Sequence, residues 1–147
     1  EIIMMLDEGE EAGSIESGEK ELIKNVFSLN DTTAEDVMVH RSQVAFLKRD
    51  DARTTLLNEI AESGYSRFPV YGENIDDIVG ILYAKTYLTA QSRGERCEMK
   101  DFLMPPRFVH ASTHINRILL DMQREHAHMA VVVDDYGGVI GIITQIR

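Results

Sequence analysis

The feature that most limits what this chain can become is an internal repeat. From about residue 52 onward, adding 61 to a position lands on a chemically similar residue. Leu57, Ile60 and Ala61 correspond to Ile118, Asp121 and Met122; Pro69, Val70 and Tyr71 to Ala130, Val131 and Val132; Val79, Gly80, Ile81 and Leu82 to Ile140, Gly141, Ile142 and Ile143. Asp121 is the one polar mismatch. Upstream the offset becomes 65, pairing Asp36, Val37 and Val44 with Asp101, Phe102 and Val109, which places four extra residues in the first copy near 48–51. A unit of about 50 residues buries too little apolar surface to stand alone, so the two copies are expected to pack as one pseudo-symmetric body.

Both copies read in the same order. A short strand (43–47; 107–110) leads to a helix whose apolar face is Leu56, Leu57 and Ile60 in the first copy and Ile115, Ile118, Leu119 and Met122 in the second. Gly64 is placed to stop the first helix and Ser112 to cap the second. A strand (67–71; 129–133), a turn rich in Gly, Asp and Asn (72–77; 134–138) and a second strand (78–82; 139–144) complete each unit. The uniformly apolar run Ala130, Val131, Val132, Val133 indicates a strand covered on both faces. The fold class is α+β: two pseudo-symmetric β-α-β-β repeats, residues 34–92 and 93–147, preceded by an acidic helical lead-in over residues 1–33. In that lead-in Leu22, Ile23, Val26 and Phe27 share one helical face, with Ser17 as its N-cap.

Charge and composition narrow the function. The net charge of −10 is uneven, with eight acids against one base in residues 1–21. A nucleic-acid partner needs a basic face, which this chain lacks. The longest apolar runs are five residues, against about 20 for a spanning helix, so the segment is expected to be soluble. Its single cysteine, Cys97, excludes an internal disulfide and a cysteine-rich zinc site.

Two longer stretches carry a resemblance. Gly64-Tyr65-Ser66-Arg67-Phe68-Pro69-Val70-Tyr71 with Asp76-Asp77-Ile78-Val79-Gly80-Ile81-Leu82, and His128-Met129-Ala130-Val131-Val132-Val133-Asp134-Asp135-Tyr136-Gly137-Gly138-Val139-Ile140-Gly141-Ile142-Ile143-Thr144, resemble the halves of a tandem cystathionine-β-synthase (CBS) domain pair, or Bateman module. Asp36-Val37-Met38, Arg41-Ser42 and residues 5–23 resemble the lead-in of the CorC/HlyC-type, hemolysin-like family linked to magnesium and cobalt efflux. The resemblance implies a non-enzymatic regulatory module on the cytoplasmic face of a membrane, following a membrane domain in the whole protein. It also implies homodimerisation and binding of AMP or ATP, with Mg²⁺ as an optional companion, in clefts between the copies.

A nucleotide site needs a flat apolar slot for the base, a polar group on the ribose and donors for phosphate. In CBS pairs the slot is lined by strand starts, here Ser66, Arg67, Phe68 and Pro69 in one copy and His128, Met129 and Ala130 in the other. The lead-ins contribute Val39, His40, Arg41 and Arg107, and the last strands Ile142, Thr144 and, just beyond, Thr86. Arg67 has the planar fork that matches phosphate, and so do Arg41 and Arg107; each can equally serve a surface ion pair. His128 occupies the place of Arg67 under the 61-residue offset, and with His126 forms a His-x-His too small for a zinc site. The family's Ser/Thr-x-x-Asp, whose Asp meets the ribose, is absent: the first copy has Tyr83-Ala84-Lys85-Thr86 and the second Thr144-Gln145-Ile146-Arg147. That departure leaves a structural dimerisation module with degenerate clefts as the alternative to a nucleotide sensor. A nucleotide hydrolase is disfavoured, because no local signature joins a nucleophile to a base.

Overall fold

A computed structural model describes residues 31–95 and 97–144, together with residues 9, 13, 18–20 and 22. Residues 18–20 and 22 are helical and Leu22 is exposed; Ser17, Ile23, Val26 and Phe27 lie outside the described residues. The elements run α1 (Ala34–Val37), β1 (Val39–His40), β2 (Leu47–Lys48), α2 (Arg53–Ser63), β3 (Arg67–Tyr71), β4 (Ile78–Tyr83), α3 (Ala84–Ser92), β5 (Leu103–Met104), β6 (Phe108–His110), α4 (Ile115–Arg124), β7 (Met129–Val133) and β8 (Val139–Thr144). Single 3-10 turns occupy Arg41–Gln43 and Met99–Phe102.

The strands form two four-stranded sheets, β2-β3-β4-β5 and β1-β8-β7-β6. In each, a parallel pair (β2/β3; β6/β7) is joined through a crossover helix and continues into an antiparallel hairpin. The fourth strand is exchanged. β1, which opens the first repeat, pairs with β8 of the second, and β5, which opens the second, pairs with β4 of the first. α1 follows β1 across: the Ala34 amide donates to the Thr113 carbonyl at 2.9 Å and that of Glu35 to the Ala111 carbonyl at 3.0 Å. Asp36 closes a capping box on Thr33, whose amide and hydroxyl hold its carboxyl below the usual range.

Period-two alternation sorts the strand side chains into three cores. Phe68, Val70 and Leu82 face Leu56, Ile60 and Tyr87 on the helix side of the first sheet. Ala130, Val132 and Ile143 face Ile115, Ile118 and Met122 on the helix side of the second. Ile78 and Ile81 meet Met129, Val131, Val139 and Ile142 between the sheets. The strand of residues 130–133 is thus buried on both faces, as its composition requires.

Several expectations need correction. Residues 43–47 do not form one strand: Arg41–Gln43 is a 3-10 turn and only Leu47–Lys48 is extended. His114, not Ser112, stands at the start of α4. The Ser112 hydroxyl is instead drawn to His110 Nδ1 at 2.7 Å, which also accepts the Ser112 amide. Leu119 is exposed, so the buried face of α4 is Ile115, Ile118 and Met122. The offset itself slips. Register pairs Leu47 with Val70 and Val109 with Val132, a shift of 62 on both strands, while Phe68–Leu82 and Ala130–Ile143 show the return to 61 at β4 and β8. The cause is the hairpin turn, six residues between β3 and β4 and five between β7 and β8. On this footing Ile60 matches Met122 and the polar mismatch at Asp121 disappears; Arg67 matches Met129, and His128 matches Ser66. The extra residues of the first copy precede β2, around the Arg41–Gln43 turn, rather than at 48–51.

The repeated glycines record the exchange. A Cβ on Gly141 would lie 2.4 Å from the Val39 carbonyl oxygen, and one on Gly80 2.8 Å from Leu103 Cβ. Each exchanged strand therefore crosses where only hydrogen leaves room. Gly141→Ala should cost about 2 kcal/mol, in the range for overpacking against backbone, and urea unfolding of the purified chain measures it; an unchanged midpoint would show that β1 does not seat there.

A cleft between the repeats as candidate functional site

The best-formed candidate lies where the first sheet ends and the second repeat begins. β3 and β4 place Arg67 directly opposite Tyr83, so both side chains leave the same face of the hairpin. The guanidinium sits 5.0 Å from the Tyr83 ring centroid, a cation–π contact. From the other repeat the His128 ring approaches Tyr83 edge-on, with centroids 6.4 Å apart. Ile81, Met104, Pro105 and Pro106 add apolar wall, and Arg107, Glu125, His126, Ala127 and Met129 close a cleft of about 340 Å³. Its size is that of a small-ligand site, and its walls are shared between apolar and polar side chains.

The cations of this cleft differ in state. Arg67 has no carboxylate partner among the described residues, and its buried Nε has no hydrogen bond. Arg107 is held twice by α4: Nη2 lies 3.3 Å from Asp121 Oδ2, and Nη1 bonds Glu125 Oε2. Its carbonyl accepts the Val131 amide at 2.8 Å, which fixes the backbone at the head of β6. His126 has a φ of 53°, in the left-handed region, where the chain turns out of α4 toward β7. Gly64 ends α2 the same way at 70°.

Four of the residues expected to contact a ligand, Arg67, Arg107, His128 and Met129, come together here. Others go elsewhere. Phe68 and Ala130 are in the helix-side cores, Ile142 is in the core between the sheets, and Pro69 is fully buried in β3. Pro69 is tolerated because β2 pairs only with Val70 and Tyr71, leaving no partner for its missing donor on that side. Val39 and His40 are in the exchanged strand β1. Ser66 and Thr144 are exposed, and Thr86 lines a separate shallow hollow with Lys85 and Arg93. Gln145, Ile146 and Arg147 lie outside the described residues. Ile81 and Glu125 were missed; Ile81 is signalled by its match to Ile142, Glu125 by nothing local.

A larger hollow of about 730 Å³ lies on the outer side of the first repeat, between Arg49, Arg53, Tyr87, Cys97 and Lys100. Two of its three cations are already paired, Arg49 with Asp50 at 3.3 Å and Lys100 with Glu98 at 3.0 Å. Burial pushes the Tyr87 phenol up, which keeps it neutral. The smaller cleft is the better ligand site because Arg67, without a carboxylate partner among the described residues, lies on the Tyr83 ring beside apolar wall from both repeats, whereas the larger hollow sets Asp50, Asp51 and Glu98 against its three cations.

Residues 34–93 and 99–146 each match the CBS domain family. The chain belongs to that family, as a tandem pair. The CBS domain of a bacterial CNNM/CorC family Mg²⁺ transporter superposes with a TM-score of 0.80 at 31% identity, over 97% of this chain and 88% of that one. The same kind of domain solved in complex with ATP gives 0.77 at 32% identity, over 86% and 91%. Among curated relatives, the magnesium and cobalt efflux protein CorC of Pasteurella multocida is 34% identical over 98% of this chain and 48% of its own length. The UPF0053 protein Rv2366c of Mycobacterium tuberculosis is 33% identical over 98% of this chain and 34% of its own. The chain thus spans between a third and a half of these relatives, and its pair is of the CorC kind. Among the described residues no helix is long and apolar enough to cross a membrane.

In this CBS pair Arg41 has a different task from Arg67. Its Nη1 donates to the Val139 carbonyl at 3.0 Å and lies 3.5 Å from Asp76 Oδ1, while that same oxygen accepts the Val139 amide at 2.9 Å. Two groups of the first repeat thereby hold the first residue of β8 in the other, Asp76 of the β3–β4 turn through the Val139 amide and Arg41 through the Val139 carbonyl. Asp76→Ala should lower stability by about 1 kcal/mol, given hydrogen bonds to a half-exposed charge. Its effect should be non-additive with Arg41→Ala in a double-mutant cycle; full additivity would show that the clamp is not formed.

Proposed function

We propose that this CBS pair binds an adenine nucleotide, AMP or ATP, in the cleft of Arg67, Tyr83, Arg107 and His128, and that binding regulates a membrane ion-transport domain attached to it. The single observation that carries the reading is Arg67: a guanidinium in an inter-repeat cleft, held by an aromatic face and without a carboxylate partner among the described residues. Its donors suit phosphate oxygens, and Ile81, Pro105, Pro106 and Met129 offer flat apolar surface to a base. The ATP complex of a CNNM/CorC relative supports the ligand class.

Thr86 replaces the family's ribose carboxylate and is exposed. A missing hydrogen bond to a charged group costs about 1.5–3 kcal/mol, or roughly a ten- to hundredfold in affinity, so binding in this cleft rests on phosphate and base contacts. Regulation requires that two packing states of the module differ in nucleotide affinity, since equal affinity shifts nothing. Pairing with a second copy supplies such states, and Leu119 and Leu120, both half-exposed on α4, give apolar surface for it. In this reading the pair works at the cytoplasmic face of the membrane and carries out no chemistry. Among the described residues Ser112, His110 and Asp135 are linked in series, but His110 Nδ1 is occupied by the Ser112 amide, which leaves the imidazole no free base.

Titration calorimetry with AMP, ADP and ATP, each with and without Mg²⁺, tests the proposal. Micromolar binding of at least one nucleotide is expected, and Arg67→Ala should weaken it about tenfold or more. No heat and no thermal stabilisation at millimolar nucleotide would reject it and leave a purely structural pairing module.

A further inference from the structure

Arg107 lines the nucleotide cleft yet spends its guanidinium on the protein's own acids. Asp121, one α4 turn before Glu125, takes Nη2, and Glu125, the residue just beyond the end of α4, takes Nη1. The two carboxylates are not equivalent. Asp121 is mostly buried, at 28% side-chain exposure, and is steadied by Arg117 at 3.9 Å, whereas Glu125 is 55% exposed and lies on the cleft wall. Arg107 lines the cleft, as Glu125 does, and its Nε is buried without a hydrogen-bond partner. We infer that Glu125 acts as an internal stand-in for a ligand phosphate, latching Arg107 until a polyphosphate displaces it, and so sets the cleft's preference among nucleotides by their charge. This rests on the nucleotide reading above.

The physical argument is competition for one donor. Glu125 brings a single negative charge and a surface ion pair of modest worth. A monophosphate can be met by Arg67 alone and gains little by opening the latch. A di- or triphosphate reaches further and carries more charge, so it gains a second guanidinium in exchange for the released carboxylate, which returns to water at the cleft mouth. Asp121 stays on Nη2 throughout and keeps Arg107 aimed at the cleft, so the exchange needs one rotamer change at Glu125 and no movement of strands.

The latch predicts a graded effect of Glu125→Gln, which removes the charge and keeps the size. ATP affinity should rise about tenfold, AMP affinity by less, and adenosine, which has no phosphate, not at all; Glu125→Asp should fall between wild type and Glu125→Gln. The binding series is run on wild type, Glu125→Gln, Glu125→Asp and Arg67→Ala. Equal gains for adenosine and ATP would overturn the inference, because the effect would then be on the base slot. An unchanged ATP affinity in Glu125→Gln, with Arg67→Ala still weakening binding, would overturn the latch and leave the nucleotide reading standing. Absence of binding by every variant would remove both.

Discussion

The layer of apolar side chains between the two sheets is the interaction on which the molecule depends. Ile78 and Ile81 of the first repeat and Met129, Val131, Val139 and Ile142 of the second are buried against one another, and removing either sheet would return that surface to water. Neither repeat has a complete sheet of its own, because β1 and β5 are lent across the boundary. Burial and exchange together convert two units too small to fold alone into one body. The glycines at 80 and 141, which look like ordinary strand glycines in the sequence, are the points at which that exchange is sterically possible.

The cleft follows from the same arrangement. Where β3 and β4 run out of inter-sheet contacts, the hairpin turns Arg67 and Tyr83 toward the start of the second repeat, and the segment from Met104 to Arg107, having just completed the first sheet through β5, passes along the opposite wall. A ligand there touches the ends of one repeat and the beginning of the other, so its binding energy depends on their relative position. The Arg41–Asp76–Val139 clamp fixes the same relation elsewhere along the boundary. A site built across a boundary is suited to reporting packing, and that is the physical content of the regulatory role proposed above.

Much of this was legible in the sequence. Repeated Val-Gly-Ile-Leu and Ile-Gly-Ile-Ile, the apolar run at 130–133 and the turn residues gave the strands, and the resemblance of the two stretches to CBS halves named the pair correctly. What escaped has identifiable causes. Strands of two residues, such as β1 and β5, have no periodicity, so the exchange was invisible. A hairpin one residue longer in the first copy hid a change of offset and paired Arg67 with His128 rather than Met129. α3, whose buried side are Ala84, Tyr87 and Ala90, carries too few large apolar residues to stand out. The partners of Arg107 lie 14 and 18 residues away, on α4 and just beyond its end, and no local pattern announces such a contact; only the fold separates Arg67, which has no carboxylate partner among the described residues, from Arg41 and Arg107, which have one.

A crystal structure of this CBS pair grown with ATP would test the central claim most directly. The account predicts a nucleotide between the repeats, with phosphate oxygens within hydrogen-bond distance of the Arg67 guanidinium and the base against Ile81 and Met129. A nucleotide seated instead in the hollow of Arg49, Arg53 and Tyr87, or a cleft unchanged by ATP at millimolar concentration, would contradict it.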